Sequence, residues 1–130
     1  MDTKDIEAEA ATLVLDSFTE ATALRLGKLL VDLALADALP VVINIRTADR
    51  TLFHAALPGS APLNDLWARR KSNTALAFQL PSLLVGLRTK AKAEGLDRHG
   101  LPPGDYADSG GAVPVRVKGV GMVAVATVSG

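Results

Sequence analysis

The sequence has no cysteine, which excludes disulfides, thiolate nucleophiles and thiolate metal ligands outright. Aromatic residues make up only 4% of the chain, one Trp, one Tyr and three Phe, so its core must be built from Leu, Val and Ala. Fourteen basic residues balance fourteen acidic ones, and the sequence pI is about 6.7. That balance points to neither nucleic acid nor an anionic membrane as partner. It also supplies little colloidal repulsion, which suits a surface used in self-association, so the expected partner is a second copy of the chain. There is no apolar run of membrane-spanning length, and Met1-Asp2-Thr3-Lys4-Asp5 is not the start of a signal peptide. A cytoplasmic location is therefore expected. Internal repeats and low-complexity segments are also missing. With 130 residues the chain is read as one domain, residues 1–130, long enough for a single hydrophobic core.

What is present is clearest at the C-terminal end. Val113, Val115 and Val117 alternate with Pro114, Arg116 and Lys118. Gly119-Val120-Gly121 then leads into Met122-Val123-Ala124-Val125-Ala126-Thr127-Val128, apolar at nearly every position. Alternation marks a strand with one buried face, and a continuous β-branched run marks one covered on both. Glycine reaches the positive φ of a tight connection without strain. The reading is a β-hairpin whose second strand is central in the sheet.

Upstream, residues 4–11 read as a short helix held by Ile6. Thr12-Leu13-Val14-Leu15-Asp16-Ser17-Phe18 either extends that helix or forms a first strand, and its β-branched and aromatic residues favour the strand. Thr19 is a fitting N-cap for a helix from Glu20 to Leu39, with Ala23, Leu26, Leu30, Ala34 and Ala38 as its buried stripe. Pro40 closes it. Val41–Arg46 and Thr51–Leu57 form a second antiparallel hairpin, with Asn44 and Arg46 sharing one face. Ser60 can cap a helix running from Pro62 to Leu80, with Leu63, Trp67, Ala75 and Phe78 buried and Asp65 able to pair with Arg69. A further helix spans Leu83 to Glu94, with Gly95 as its C′ residue. Residues 95–110 form a loop long enough to be a site cover or a subunit arm. The order α-β-α-β-β-α-α-β-β gathers helices on an antiparallel sheet, an α+β class.

Few residues carry chemistry. Trp67, Arg70, Lys71 and Asn73 fall within about two helical turns, a planar aromatic with a guanidinium fork, an ammonium and an amide, a set that suits a small anionic ligand such as a carboxylate. The plainer alternative buries Trp67 in the core and lets the cations snorkel or cross a subunit interface. His54 on its strand could supply an imidazole nitrogen to haem or a metal, or simply bond a neighbour. His99 sits in the long loop. No HExxH, CxxC or carboxylate cluster exists, so no metal site is expected, and Ser60, Ser72 and Ser109 lack a nucleophile elbow, so no catalytic residue is assigned. Gly110-Gly111 and Gly119-Val120-Gly121 lack the Lys-Ser/Thr of a phosphate loop.

Several blocks together resemble a known family. Leu39-Pro40-Val41-Val42-Ile43-Asn44-Ile45-Arg46, Leu52-Phe53-His54-Ala55-Ala56-Leu57-Pro58-Gly59, Asn64-Asp65-Leu66-Trp67-Ala68-Arg69-Arg70-Lys71-Ser72-Asn73-Thr74 and Gly110-Gly111-Ala112-Val113-Pro114-Val115-Arg116-Val117-Lys118-Gly119-Val120-Gly121 occur in order. Together with the closing Val128-Ser129-Gly130 they are similar to the haem-degrading domain family of GlcG/HbpS-type proteins, nearest an uncharacterised cytoplasmic branch. The resemblance implies an α+β sandwich of about five antiparallel strands, homo-oligomeric assembly and, through the family alone, haem as a cofactor. It also implies a Leu-Pro segment, an Asp-His pair and a last helix after Val-Ser-Gly, which this sequence does not contain, and a His before Gly-Gly where this chain has Ser109. The expected function is a homo-oligomeric small-ligand binding protein using Trp67, Arg70, Lys71, Asn73 and His54. Two alternatives stand beside it: an enzyme acting on haem or a small organic acid, and a structural assembly module.

Overall fold

The computed structural model describes residues 3–12 and 14–130, with the side chains of residues 9–12 left aside. Its elements follow the chain as α1 (Thr3–Thr12), β1 (Val14–Leu15), α2 (Glu20–Ala36), β2 (Val42–Arg46), β3 (Thr51–Ala56), α3 (Pro62–Phe78), α4 (Ser82–Ala91), a 3₁₀ turn (Leu96–His99), β4 (Ala112–Val117) and β5 (Gly121–Ser129). The α+β class holds. The sheet runs β1-β4-β5-β2-β3, so β5 is its central strand.

One pairing departs from the expected antiparallel sheet. β1 joins β4 in parallel, with Val14 opposite Arg116 and Leu15 opposite Val117, so the sheet is mixed. A crossover from one parallel strand to another leaves room for the helices and hairpin between them. The first strand is also shorter than the stretch from Thr12 to Phe18: the helix runs to Thr12, Leu13 lies outside the described residues, and only Val14–Leu15 pairs.

Two helices cover opposite faces. Thr19 caps α2 as expected, its hydroxyl accepting from the Thr22 N–H while the Thr22 hydroxyl accepts from the Thr19 N–H. The helix stops at Ala36, three residues before Leu39. Ala38 turns left-handed at φ 51° and the Leu39 N–H reaches back to the Ala34 carbonyl, a closure that ends the helix before Pro40 acts. Ala23, Gly27 and Ala34 are the buried positions of α2, whereas Leu35 and Ala38 are exposed. Gly27 lies so close to Phe53 of β3 that a Cβ there would come within 2.4 Å of the ring. Against this face pack Ile43, Ile45, Ala124 and Ala126. Ile43 and Ile45 are fully buried, each contributing about 1.5–3 kcal/mol by leaving water.

The other face belongs to α3, and here the expected stripe is rotated. Leu63 is 60% exposed and Leu66 61%, while Ala68, Lys71, Ser72 and Ala75 face the sheet. Those four recur at i, i+3, i+4 and i+7, so the helix offers its small and polar face. Their targets are Val125, Thr127 and Ser129 of β5, Ala112 of β4 and Arg46 of β2. Ser60 does not cap α3. Its hydroxyl donates to the Leu57 carbonyl, the N-cap is Ala61, and the Asn64 amide oxygen accepts the Ala61 N–H. α4 ends at Ala91 rather than Glu94, and the left-handed residue after it is Ala93, not Gly95, which instead opens the 3₁₀ turn. In β4 a bulge between Val115 and Arg116 interrupts the expected alternation.

Candidate functional site

The polar stack beneath α3 begins with Arg46. It is 4% exposed, and burial, followed by the charge of Arg69, lowers its pKa. Its Nη1 donates to Ser72 Oγ at 3.0 Å and to Asn73 Oδ1 at 2.8 Å, and its Nη2 donates to the Ala48 carbonyl. All three acceptors are neutral. Asn73 is thereby held as a connector, because its Nδ2 donates to the Asp105 carbonyl of the long loop.

That loop is strapped along α3 and α4 by several further contacts. Arg70 Nη2 donates to the Pro103 carbonyl at 2.7 Å, and the Ala107 N–H donates to Thr74 Oγ1 and to the Arg70 carbonyl. Thr89 donates to Asp108 Oδ2, and Gly86 approaches the Asp108 carbonyl so closely that a Cβ there would stand 1.9 Å from it. The expected pair Asp65–Arg69 does not form; Asp65 turns to the sheet instead.

Trp67 is the centre of the exposed part. The Arg70 guanidinium lies 4.2 Å from its ring centroid and Lys71 Nζ 5.9 Å away, both within cation–π range. Neither cation has a carboxylate partner among the described residues. Two clefts flank the stack. One, about 370 Å³, lies towards Leu96, Leu101, Tyr106 and Ser109. The other, about 510 Å³, lies towards Leu63, Leu66 and Arg69. Trp67, Arg70 and Pro103 line both. Arg70 Nε is buried, with no hydrogen-bond partner among the described residues.

Lys71 points inward. It is 9% exposed, its Nζ donates to Ser129 Oγ at 3.1 Å, and burial lowers its pKa. Gly111, at φ +139°, leaves the room its side chain occupies: a Cβ there would stand 3.4 Å from the ammonium and 2.5 Å from the Val128 carbonyl. Thr127 Oγ1 and Asn44 Oδ1, opposite each other across β5 and β2, are buried on this same face without partners among the described residues.

His54 occupies a separate place. Its Nε2 is 2.6 Å from Asp65 Oδ1 and its Nδ1 is 3.0 Å from Asn44 Nδ2. Both ring nitrogens are engaged, one holding the first turn of α3 and the other β2. His54 lines neither cleft. His99 meets Phe78 edge-on, with ring centroids 5.4 Å apart. The structure therefore gathers Trp67, Arg70 and Lys71, puts Asn73 in a supporting position and sets His54 aside. No group of three or more His, Asp or Glu residues able to hold a metal ion occurs among the described residues. Sequence reasoning missed Arg46 and Pro103, and reached Tyr106 only as one of the polar residues of a loop read as a site cover. Arg46 was legible as a cation alternating onto the Asn44 face of a buried strand, whereas Pro103 carries no signal of its own.

The profile of the family described as haem degrading protein HbpS-like matches residues 18–130, and the chain belongs to that family. A UPF0303 protein of Streptomyces coelicolor is 46% identical over 127 residues, spanning 97% of this chain and 80% of the relative. Among solved structures, the Ybr137w protein superposes with a TM-score of 0.88 at 27% identity, over all of this chain and 78% of that one. A PduOC:heme complex superposes with a TM-score of 0.66 at 23% identity, over 90% of this chain and 83% of the other, and shares the fold.

Proposed function

We propose that this member of the HbpS-like family is a self-associating protein that binds a small, planar, anionic molecule beside Trp67 and Arg70. The observation that carries this reading is the Trp67–Arg70 stack, a cation without a carboxylate partner among the described residues, placed between two clefts. Leu63, Leu66 and the indole offer an apolar wall, Arg69 and Arg70 a cationic contact for an anion, and Lys71 adds positive charge behind the ring. Asn73 works indirectly by holding the loop.

Haem is the candidate the family supplies, and the heme named for the structurally similar PduOC complex belongs to that protein. The residues present fit a carboxylate-bearing ring: the buried, partnerless Arg70 Nε is a donor waiting for an acceptor. Haem, when bound, would supply an iron centre, and of the cleft residues Tyr106 has a side chain of the type that would hold it. His54 would first have to release Asp65 or Asn44.

Titration with haemin tests the reading. A saturable Soret shift that Arg70→Ala weakens and His54→Ala preserves is the expected result; the absence of any saturable shift removes haem as the ligand. Self-association is supported by the exposed Leu24, Leu29 and Leu33 of α2 and by the zero net charge. Sedimentation at micromolar concentration tests it, and a monomer would remove that part.

A further inference from the structure

The two clefts share three residues, Trp67, Arg70 and Pro103. Trp67 and Arg70 form their common wall, and Pro103 is the only loop residue on both sides. Its carbonyl accepts from Arg70 Nη2 at 2.7 Å. A backbone carbonyl is a single acceptor, whereas the Nε/Nη2 edge of a guanidinium is a two-donor fork that matches a carboxylate. Only half of that edge is used. Arg70 Nε, adjacent to the occupied Nη2, is buried and has no partner among the described residues. Leaving a buried donor of a charged group unmade is costly, so the arrangement favours an acceptor with two oxygens over the one present.

We infer that residues 102–104 form a displaceable strap. The carboxylate of a planar aromatic acid takes the Nε/Nη2 fork of Arg70, displaces the Pro103 carbonyl and joins the two clefts into one chamber, with the ring of the acid against Trp67. This deepens the binding reading above and rests on it. It names the ligand class as aromatic carboxylates, defines Arg70 as the selector between an acid and its neutral amide, and makes the loop contact a placeholder for the ligand. Asn73 sets the ease of displacement, because its Nδ2 ties the Asp105 carbonyl next to the strap while its Oδ1 serves Arg46.

Trp67 is the only tryptophan of the chain, so its fluorescence reports on this place alone. Full-length protein titrated with 2-naphthoate should show a saturable change, and 2-naphthamide should bind about tenfold more weakly or worse, because a charge-assisted pair is replaced by a neutral contact. Arg70→Lys should weaken 2-naphthoate by about tenfold, since an ammonium keeps the charge but loses the fork. Asn73→Asp keeps the acceptor for Arg46 and removes the donor to Asp105, so it should tighten 2-naphthoate by about threefold as a closed-state cost is relieved. If the acid and the amide bind equally, or Arg70→Lys changes nothing, the fork assignment is overturned while the binding function survives. An unchanged affinity in Asn73→Asp overturns the strap. If neither 2-naphthoate nor haemin perturbs Trp67, both this inference and the reading beneath it fall.

Discussion

On the α2 side of the sheet, Ile43, Ile45, Ala124 and Ala126 meet Ala23, Gly27 and Ala34. On the α3 side, Arg46 meets Ser72 and Ser129 meets Lys71, beside an apolar cluster of Ala75, Ala112 and Val125. The same sheet thus carries an apolar face and a mixed one. The apolar face gains from water exclusion and from close fit, which reaches the point where Phe53 tolerates only a glycine opposite it. The mixed face holds two cations desolvated with neutral partners, and Thr127 Oγ1 and Asn44 Oδ1 have none among the described residues. Burying charge that way costs stability, which the apolar contacts, more extensive on the α2 side, must offset. The difference separates a side that makes the fold from a side beside which the proposed binding place lies.

Substitutions can break that contrast or sharpen it. Ile45→Ala should have the largest effect, lowering unfolding free energy by about 2–5 kcal/mol in urea denaturation, because it empties a fully enclosed site. A smaller cost, about 1–3 kcal/mol, is expected of Gly27→Ala, whose new methyl must displace the Phe53 ring. A loss at Gly27 close to zero would mean that the α2 interface is looser than its contacts imply. Lys71→Met goes the other way. Removing a buried ammonium that has only a hydroxyl partner should leave stability within about 1 kcal/mol of the parent or raise it. A loss as large as that of Ile45→Ala would erase the distinction between the two faces.

The pH dependence sharpens the same point. Burial lowers the folded-state pKa of Lys71 below 10.5, so between that lowered value and 10.5 the unfolded chain binds more protons than the folded one. Stability should therefore rise with pH across that window in the parent and be flatter there in Lys71→Met, as read by thermal melts at successive pH values. The smallest effect belongs to the rim. His54 and Asp65 are more than a third exposed, and Asp65→Asn should cost under about 1 kcal/mol in the same melts.

The strands were legible because alternation and apolar runs report burial directly. β2, β3 and the β4–β5 hairpin stand where the residue pattern put them, and β5 is central as its unbroken apolar run implied. α3 was legible as a helix but not in its rotation. Leu63, Leu66 and Trp67 are its large apolar side chains, and hydrophobicity alone turns them inward. The sheet beneath it already carries Arg46 and Thr127, and only the small face of Ala68, Ser72 and Ala75 fits over those residues. The candidate site divides the same way. Trp67, Arg70 and Lys71 lie within five residues, so their proximity is local. The Asp65–His54 contact spans eleven residues and replaces the local Asp65–Arg69 pair, because β3 delivers the imidazole to the start of α3.

Residue identity and short periodic spacing were enough for the element order after Phe18, the absence of thiol chemistry, the family and the cation–aromatic cluster. The tertiary structure alone decided which face of α3 is buried, that β1 pairs in parallel, that both nitrogens of His54 are engaged, and that the Pro103 carbonyl sits on Arg70. Those features come from groups distant in the chain competing for one place, and the winner is set by the shape and hydrogen-bonding needs of the surface opposite.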